Sequence, residues 1–402
     1  MAKVAVVESC SVGARAVVFQ DKTPVGTAVV FADDKAGLAG PQLGDLYAGV
    51  IKRASNDGRA GYANVGNGQD VFVQATKSVP RLIEGARHIL GIKREATAEK
   101  LPVGALDWEA RAFLPVDHTQ IQSEFSKNVP GKLSGPIPLI AGLFRGDPFK
   151  GLDRILVDDI GIERELTAAG LVKEIGNGLT VDQKAVEDAD IAGVFLHALA
   201  RTHGLPSGGR LTIDETAAGV AVDVDTARVF TQDRSPNVTN GEAVSALWSV
   251  IPMAGLGGRV TIDFLRPGNK TAEQKLKSSL GDLAASVGGR VDALLSDGLA
   301  ILTIKRSQAS IRERLADQTA QYDPITVRPM KIEWAALELF LALKKQLHQS
   351  GTVKLTASLP PRLNALMNAH SQWIASLREQ FGDRVEMEET RQGHQWQISE
   401  RG

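Results

Sequence analysis

The chain has 402 residues, 43% hydrophobic and 23% charged, the make-up of a soluble globular protein of about two to four domains rather than of a disordered or fibrous one. Its formal net charge of −1 excludes a global basic field, so any nucleic-acid binding has to rest on local patches. The single cysteine, Cys10, excludes an intrachain disulfide and a Cys-pair zinc site, and no apolar run reaches the roughly 18 residues of a membrane span.

The opening run Met1 to Glu8 has too short an apolar stretch for a signal peptide and is expected as a strand, which with the lone cysteine fits a cytoplasmic location. Residues 1–35 are expected to form a β-hairpin from Val4–Val7 and Arg15–Phe19, with a further strand at Ala28–Phe31. From Gly44 to about Arg111 the runs Leu46–Ile51, Ala60–Val65, Asp70–Gln74 and Ile89–Ile92 follow one another across glycine-containing turns, the pattern of a small barrel. Residues 134–204 alternate. Strands are expected at Ile137–Ala141 and Ile155–Asp158, and helices near 160–170 and over Asp190–His203, where Ile191, Val194, Phe195, Ala198 and Leu199 fall at helical spacing. The alternation continues through 205–306, with helices at about 240–252 and 271–286 and strands at 211–214, 220–224, 259–264 and 300–304. The stretch 307–329 reads as a polar, irregular linker. A helix (Ile332–His348), a strand (Thr352–Ala357), a helix (Leu363–Phe381) and two strands near 384–389 and 395–398 follow.

Two segments repeat almost word for word. Gly208-Gly209-Arg210-Leu211-Thr212-Ile213-Asp214 is echoed by Gly257-Gly258-Arg259-Val260-Thr261-Ile262-Asp263, each a glycine turn feeding a strand that ends in an acid. After the first copy comes Ala221-Val222-Asp223-Val224-Asp225, which puts Asp223 and Asp225 on one face of a strand and the valines on the other. If the strand of Asp263 lies next to this one, three carboxylates converge at a strand end. Such a cluster favours a cation, and all-oxygen ligation suits Mg²⁺. From spacing alone, strand-end acids that cap a helix or sit solvated in a loop fit as well. Asp214 has the same strand-end placement and is expected to be structural.

Tyr62 and Phe72, on neighbouring expected strands, either stack unpaired bases or fill the barrel core. Lys52, Arg53, Arg59, Lys77 and Lys100 supply positive charge near them, and Arg228, Lys305 and Arg306 are candidates for neutralising phosphate beside the acids. Gly255-Leu256-Gly257-Gly258 precedes a strand rather than a helix, so it reads as a turn and not as a phosphate loop.

From Leu205-Pro206-Ser207-Gly208-Gly209 through Asp263 the chain resembles the catalytic core of the bacterial ribonuclease E/G family. Leu205 to Asp214, Ala221 to Asp225, Thr226-Ala227-Arg228 and Gly257 to Phe264 carry the match, and Gly61-Tyr62-Ala63-Asn64-Val65-Gly66 and Ile155 to Asp158 extend it more weakly. The resemblance implies an α+β, multidomain fold. A ribonuclease-H-like domain (1–40 and 131–204) would carry an inserted OB-type β-barrel (44–112). A short connector (113–130), a remnant of the 5′ sensor, a DNase-I-like catalytic domain (205–306), a linker (307–330) and a small C-terminal domain (331–402) complete it. It further implies an Mg²⁺-dependent endoribonuclease that cuts single-stranded RNA, with Asp223, Asp225 and Asp263 catalytic and the metal on Asp223 and Asp263. Tyr62, Phe72, Lys100, Arg228, Lys305 and Arg306 would bind RNA. The departures are specific. Asp225 stands where the family has Asn, Arg266 stands where it has an acid, and the cysteine pair of its zinc link is missing, so a homodimer would need another contact. The alternative is a catalytically inactive RNA-binding protein on the same fold, acting on ribosomes or transcripts.

Overall fold

The computed structural model describes residues 2–32, 40–66, 68–97, 100–110, 112, 117–127, 130–133, 138–172, 178–226, 235–317, 329–390 and 395–401, and its strands assemble into four sheets of a mixed α+β fold. Valine-rich runs open the chain as β1 (Lys3–Cys10), β2 (Gly13–Gln20) and β3 (Thr23–Phe31). Asp21 and Lys22, at φ 48° and 70°, make the two-residue turn whose left-handed backbone matches the twist of a hairpin.

The expected barrel is present. β4 (Leu46–Ala54), β5 (Ala60–Asn64), β6 (Asp70–Gln74), β7 (Arg87–Arg94) and β8 (Val103–Ala105) close on one another, with β9 (Gly131–Lys132) laid along β4. Ile51, Ala63, Val71, Val73, Leu90 and Ile92 fill its interior. The short connector contains a helix, His118–Lys127, whose Ile121 packs with Leu46, Ile89 and Trp108. Ile140–Phe144 is a short 3-10 helix, not the strand expected at Ile137–Ala141, and Ile137 itself lies outside the described residues. Periodicity cannot separate the two in so short an apolar run.

β10 (Arg154–Val157) and β11 (Leu179–Val181) then join the first sheet in parallel, giving the order β11-β10-β1-β2-β3. Val7 pairs with Val157, so the next residues, Glu8 and Asp158, stand side by side past the paired ends. Glu8 is ion-paired with Arg15, whose guanidinium lies 5.4 Å from the Phe195 ring centre and 5.5 Å from that of Trp334. Asp158 accepts from Lys344 Nζ at 2.9 Å, and the same amine reaches the Ser9 carbonyl at 3.0 Å. These groups border a cavity of about 230 Å³. Burial pushes the Asp158 carboxyl pKa up, against the opposing pull of Lys344.

The helix expected over Asp190–His203 stops at Leu199, because Thr202–Gly204 leaves to form β12 against the next strand. His203 is thereby buried, with its ring 4.7 Å from that of His197. Burial, then the charges of His197 and Arg312, hold its pKa down to about 4, against about 6.5 in an unfolded chain. A base with a depressed folded pKa stabilises the fold above pH 6.5 and loses that contribution as pH falls towards 4. Thermal unfolding is therefore expected to cost the wild type roughly 2 kcal/mol between those pH values that His203→Leu does not lose. Parallel pH profiles for the two proteins would show that His203 is not the group responsible.

β13 (Arg210–Thr216), β14 (Gly219–Asp225), β15 (Gly258–Asp263), β16 (Gly289–Leu294) and β17 (Leu299–Ile304) complete a six-stranded sheet in the order β12-β13-β14-β15-β17-β16. Helices Pro236–Ala254 and Lys270–Ser286 cover one face, where Leu247, Val250, Leu280 and Leu283 meet Val222, Val260, Ile262 and Leu302. On the other face Ala221, Asp223, Arg259 and Asp263 are exposed, and Thr261, Ile301 and Thr303 are half-buried. The linker is not wholly irregular: Ile311–Leu315 is a helix with both ends buried and a Ser310–Glu313 capping box. Helix Ile332–Gln349 leads to a three-stranded sheet, β18 (Lys354–Leu359), β19 (Val385–Glu389) and β20 (Gln397–Arg401), in the order β19-β18-β20. The single helix expected over Leu363–Phe381 is two, Pro361–Ala369 and Ser371–Phe381, broken at His370. No helix among the described residues is long and apolar enough to cross a membrane.

Candidate functional site

β14 and β15 run parallel and are joined through helix Pro236–Ala254, so their carboxyl ends open on the same side. Their register is Val220 with Val260, Ala221 with Thr261, Val222 with Ile262 and Asp223 with Asp263. Gly219 starts this pairing at φ 148°, and a Cβ there would lie 2.3 Å from the Arg259 carbonyl oxygen, so only glycine permits the approach. With the valines and Ile262 buried, Asp223 and Asp263 project side by side on the exposed face, one strand spacing of about 4.8 Å apart at the backbone. Carboxyl ends of adjacent parallel strands are where open α/β sheets build ligand sites. Neither carboxylate is taken by a cation among the described residues.

The third carboxylate does not join them. Asp225 stands opposite Arg210 in the β13–β14 register, and Arg210 Nη2 holds its Oδ2 at 3.0 Å. The expected convergence of three acids is thus corrected to a pair, and among the described residues no group of three or more His, Cys, Asp or Glu is placed to hold a metal ion. Asp214, expected to be structural, is likewise held by an arginine rather than joined to the pair. Arg201 grips it through two bonds of 2.6 and 3.0 Å, and that guanidinium holds the carboxyl below its usual range.

Of the basic candidates, Arg228 lies outside the described residues. Lys305 and Arg306 are not beside the acids. β17 is antiparallel to β15, with Leu299 opposite Asp263 and Ile304 opposite Gly258, so both follow the far end of the strand, roughly 20 Å away at about 3.3 Å per residue. Arg306 is further committed to Glu313 and, at 3.0 Å, to the Gln308 carbonyl. One contributor went unread in the sequence. Asn240, buried in helix Pro236–Ala254, donates to the Leu265 carbonyl at 2.7 Å and accepts from the Leu265 amide at 3.1 Å, fixing the backbone just past Asp263. An asparagine inside a helix, where its propensity is poor, is the signal that could have shown it.

On the barrel, Tyr62 and Phe72 are cross-strand partners with ring centres 5.7 Å apart at 64°. Inward positions belong to Gly61, Ala63, Val71 and Val73, so the two rings lie outside, and Tyr62 is 41% exposed. Arg53 pairs across from Tyr62, while Lys52 is ion-paired with Asp70 at 3.0 Å. Lys100 is exposed, bridged to Thr97 just before the strand that pairs with Phe72.

Residues 92–308 match the sequence model of the Ribonuclease E/G family. The chain is 29% identical to Ribonuclease G of Escherichia coli (strain K12) over 198 residues, 46% of this chain and 40% of that protein. It is 30% identical over 135 residues to Ribonuclease G of Salmonella typhimurium (strain SL1344), 32% of this chain and 27% of that one. To Ribonuclease G of Haemophilus influenzae it is 29% identical over 154 residues, 37% and 30% of the two chains. The matched stretch thus spans two fifths or less of these curated relatives.

Proposed function

The chain belongs to the ribonuclease E/G family, and from that premise we propose that it is a metal-dependent endoribonuclease that cuts single-stranded RNA at the Asp223/Asp263 pair. The observation that carries this reading is the direct pairing of those two acids on adjacent parallel strands. Their donor set fits Mg²⁺: two exposed carboxylates leave room for the waters and substrate phosphate that this ion keeps in its shell. Bound there, Mg²⁺ would polarise a phosphate and lower the pKa of an attacking water. Arg210 neutralises Asp225, so that carboxylate does not repel the incoming phosphate. Asn240 holds the turn after Asp263 and so the direction in which its carboxylate points.

In this reading the five-stranded sheet is the ribonuclease-H-like domain, the closed barrel is OB-like and the six-stranded sheet is the DNase-I-like catalytic layer, in a cytoplasmic protein. Cleavage of a labelled single-stranded RNA with and without Mg²⁺ tests it. The second reading, an RNA-binding protein without turnover, is favoured by the capture of Asp225 in place of the amide that the family resemblance implies. Binding without cleavage at any Mg²⁺ concentration would select it.

Base stacking on the exposed rings makes a separate prediction. Tyr62→Ala and Phe72→Ala are each expected to weaken single-stranded RNA binding by roughly 1–3 kcal/mol while leaving the fold intact. A large drop in melting temperature with unchanged affinity of the folded fraction would return both rings to a packing role.

A further inference from the structure

A row of charged side chains also crosses the first sheet. Glu8 on β1 stands opposite Arg15 on β2, and the parallel pairing of β1 with β10 sets Asp158 beside Glu8. Val7, Ala14 and Ala16 pack in the core on one face of this sheet, so Glu8 and Arg15 project from the other. Helices Gln183–Asp188, Ile191–Leu199 and Ile332–Gln349 cover that second face. The cavity of about 230 Å³ lies between these helices and the row, at the carboxyl ends of two parallel strands. Such ends are where open α/β sheets bind small ligands.

Both ends of the row carry a polar atom that the protein does not satisfy. Arg15 donates through Nε to Glu8 and its side chain is only 5% exposed, yet Nη1 has no hydrogen-bond partner among the described residues. Asp158 accepts from Lys344 through Oδ2 and is 9% exposed, and its Oδ1 has no partner among them either. Buried polar atoms are nearly always hydrogen-bonded, so a spare donor and a spare acceptor on residues of one cavity wall point to a ligand that carries both complements. Among the described residues no three His, Cys, Asp or Glu are placed for a metal ion, so the donor set favours an organic ion. The volume matches about seven or eight waters at ~30 Å³ each, more than a single bridging water needs. Val186, Ile191, Leu341 and Trp396 give the cavity an apolar wall beside the charges.

We propose that this cavity binds a free α-amino acid with a short aliphatic side chain, its carboxylate on Arg15 Nη1 and its ammonium on Asp158 Oδ1. The apolar wall takes the side chain. Arg15 is held in place beforehand, by Glu8 at Nε and by the Phe195 and Trp334 rings beneath its guanidinium, so little ordering remains to be lost on binding. The site goes beyond the nuclease reading and stands independently of it, because none of these residues lies on β14 or β15.

The test is calorimetric titration of the full chain with L-valine, and with isobutylamine and isovalerate, which keep only its ammonium or only its carboxylate. L-Valine is expected to bind at a single site and to raise the melting temperature as its concentration rises. The two half-charged probes should bind at least about tenfold more weakly, because each leaves one buried ion without its partner. Ala342→Phe and Ala192→Phe fill the cavity from two different helices and keep every charge. Both should abolish the binding heat, and two variants are made so that a folding failure in one leaves the other to decide. No binding of L-valine by the wild type overturns the proposal. Equal binding of all three probes overturns it too, since the charges would then not be read. So does undiminished L-valine binding in a folded filled variant, which would put the amino acid elsewhere. RNA cleavage tests the proposed function separately, and its failure leaves this site untouched.

Discussion

Asp263→Asn is expected to lower RNA cleavage by at least about a hundredfold, the loss that removal of even an outer partner of a metal ligand can cause. Asp263 is exposed on β15 and directly paired with Asp223, so the substitution leaves packing and register alone and removes one of the two anions that would hold a divalent ion. RNA affinity measured without divalent ions should be kept, because the barrel rings are untouched. Calorimetric titration of Mg²⁺ or Mn²⁺ into both proteins separates the roles. Ion binding of equal strength in wild type and Asp263→Asn would take this residue out of the metal site.

The largest expected effect on stability lies elsewhere. Lys344→Met should destabilise the protein by about 3–5 kcal/mol at neutral pH, the usual consequence of removing one partner of a buried ion pair. Lys344 and Asp158 are both buried, and without the ammonium the Asp158 carboxylate would face Glu8 and a low-dielectric wall uncompensated. Its pKa is already pushed up by burial, and removing the lysine pushes it further. A carboxyl with a raised folded pKa costs stability above that pKa and is relieved as pH falls through it. The gap between Lys344→Met and wild type should therefore narrow at acidic pH. The double variant Asp158→Leu/Lys344→Met should recover much of the deficit, because a well-packed apolar pair can replace a buried ion pair. A pH-independent gap, or no recovery in the double variant, would point to the packing of the lysine stem instead.

Much of this was readable from residues alone, for physical reasons that also mark where reading stopped. Strands such as Ala221–Asp225 declare themselves because one face is buried and alternation is strict, and the neighbouring acid at Asp263 follows once a parallel pairing is assumed. The capture of Asp225 was within reach. A two-residue turn at Ala217-Ala218 pairs Thr216 with Gly219 and, counting back, Arg210 with Asp225, but the turn carries no glycine in its two central positions to announce it. Lys305 and Arg306 were misplaced because the direction of β17 is a property of the sheet and not of the segment. The early end of the helix before His203 was hidden for a related reason. Its apolar periodicity runs on, and only the partner strand shows that Thr202–Gly204 is better paired in a sheet. The Lys344–Asp158 bond joins residues 186 positions apart, and no local pattern encodes it.

That long reach bears on the order in which the molecule is made. Lys344 Nζ bonds the Ser9 carbonyl and the Trp373 carbonyl accepts from Ser11 Oγ, bonds spanning 335 and 362 residues. On a ribosome adding about 5–20 residues per second, β1 and β2 emerge first, yet these bonds at their ends cannot form until the helix Ile332–Gln349 and the segment after it have followed. The first sheet must also wait for β10, because the whole barrel is synthesised between the two strands that pair. The barrel itself closes through partners much nearer in sequence and is the part expected to fold ahead of the rest during translation.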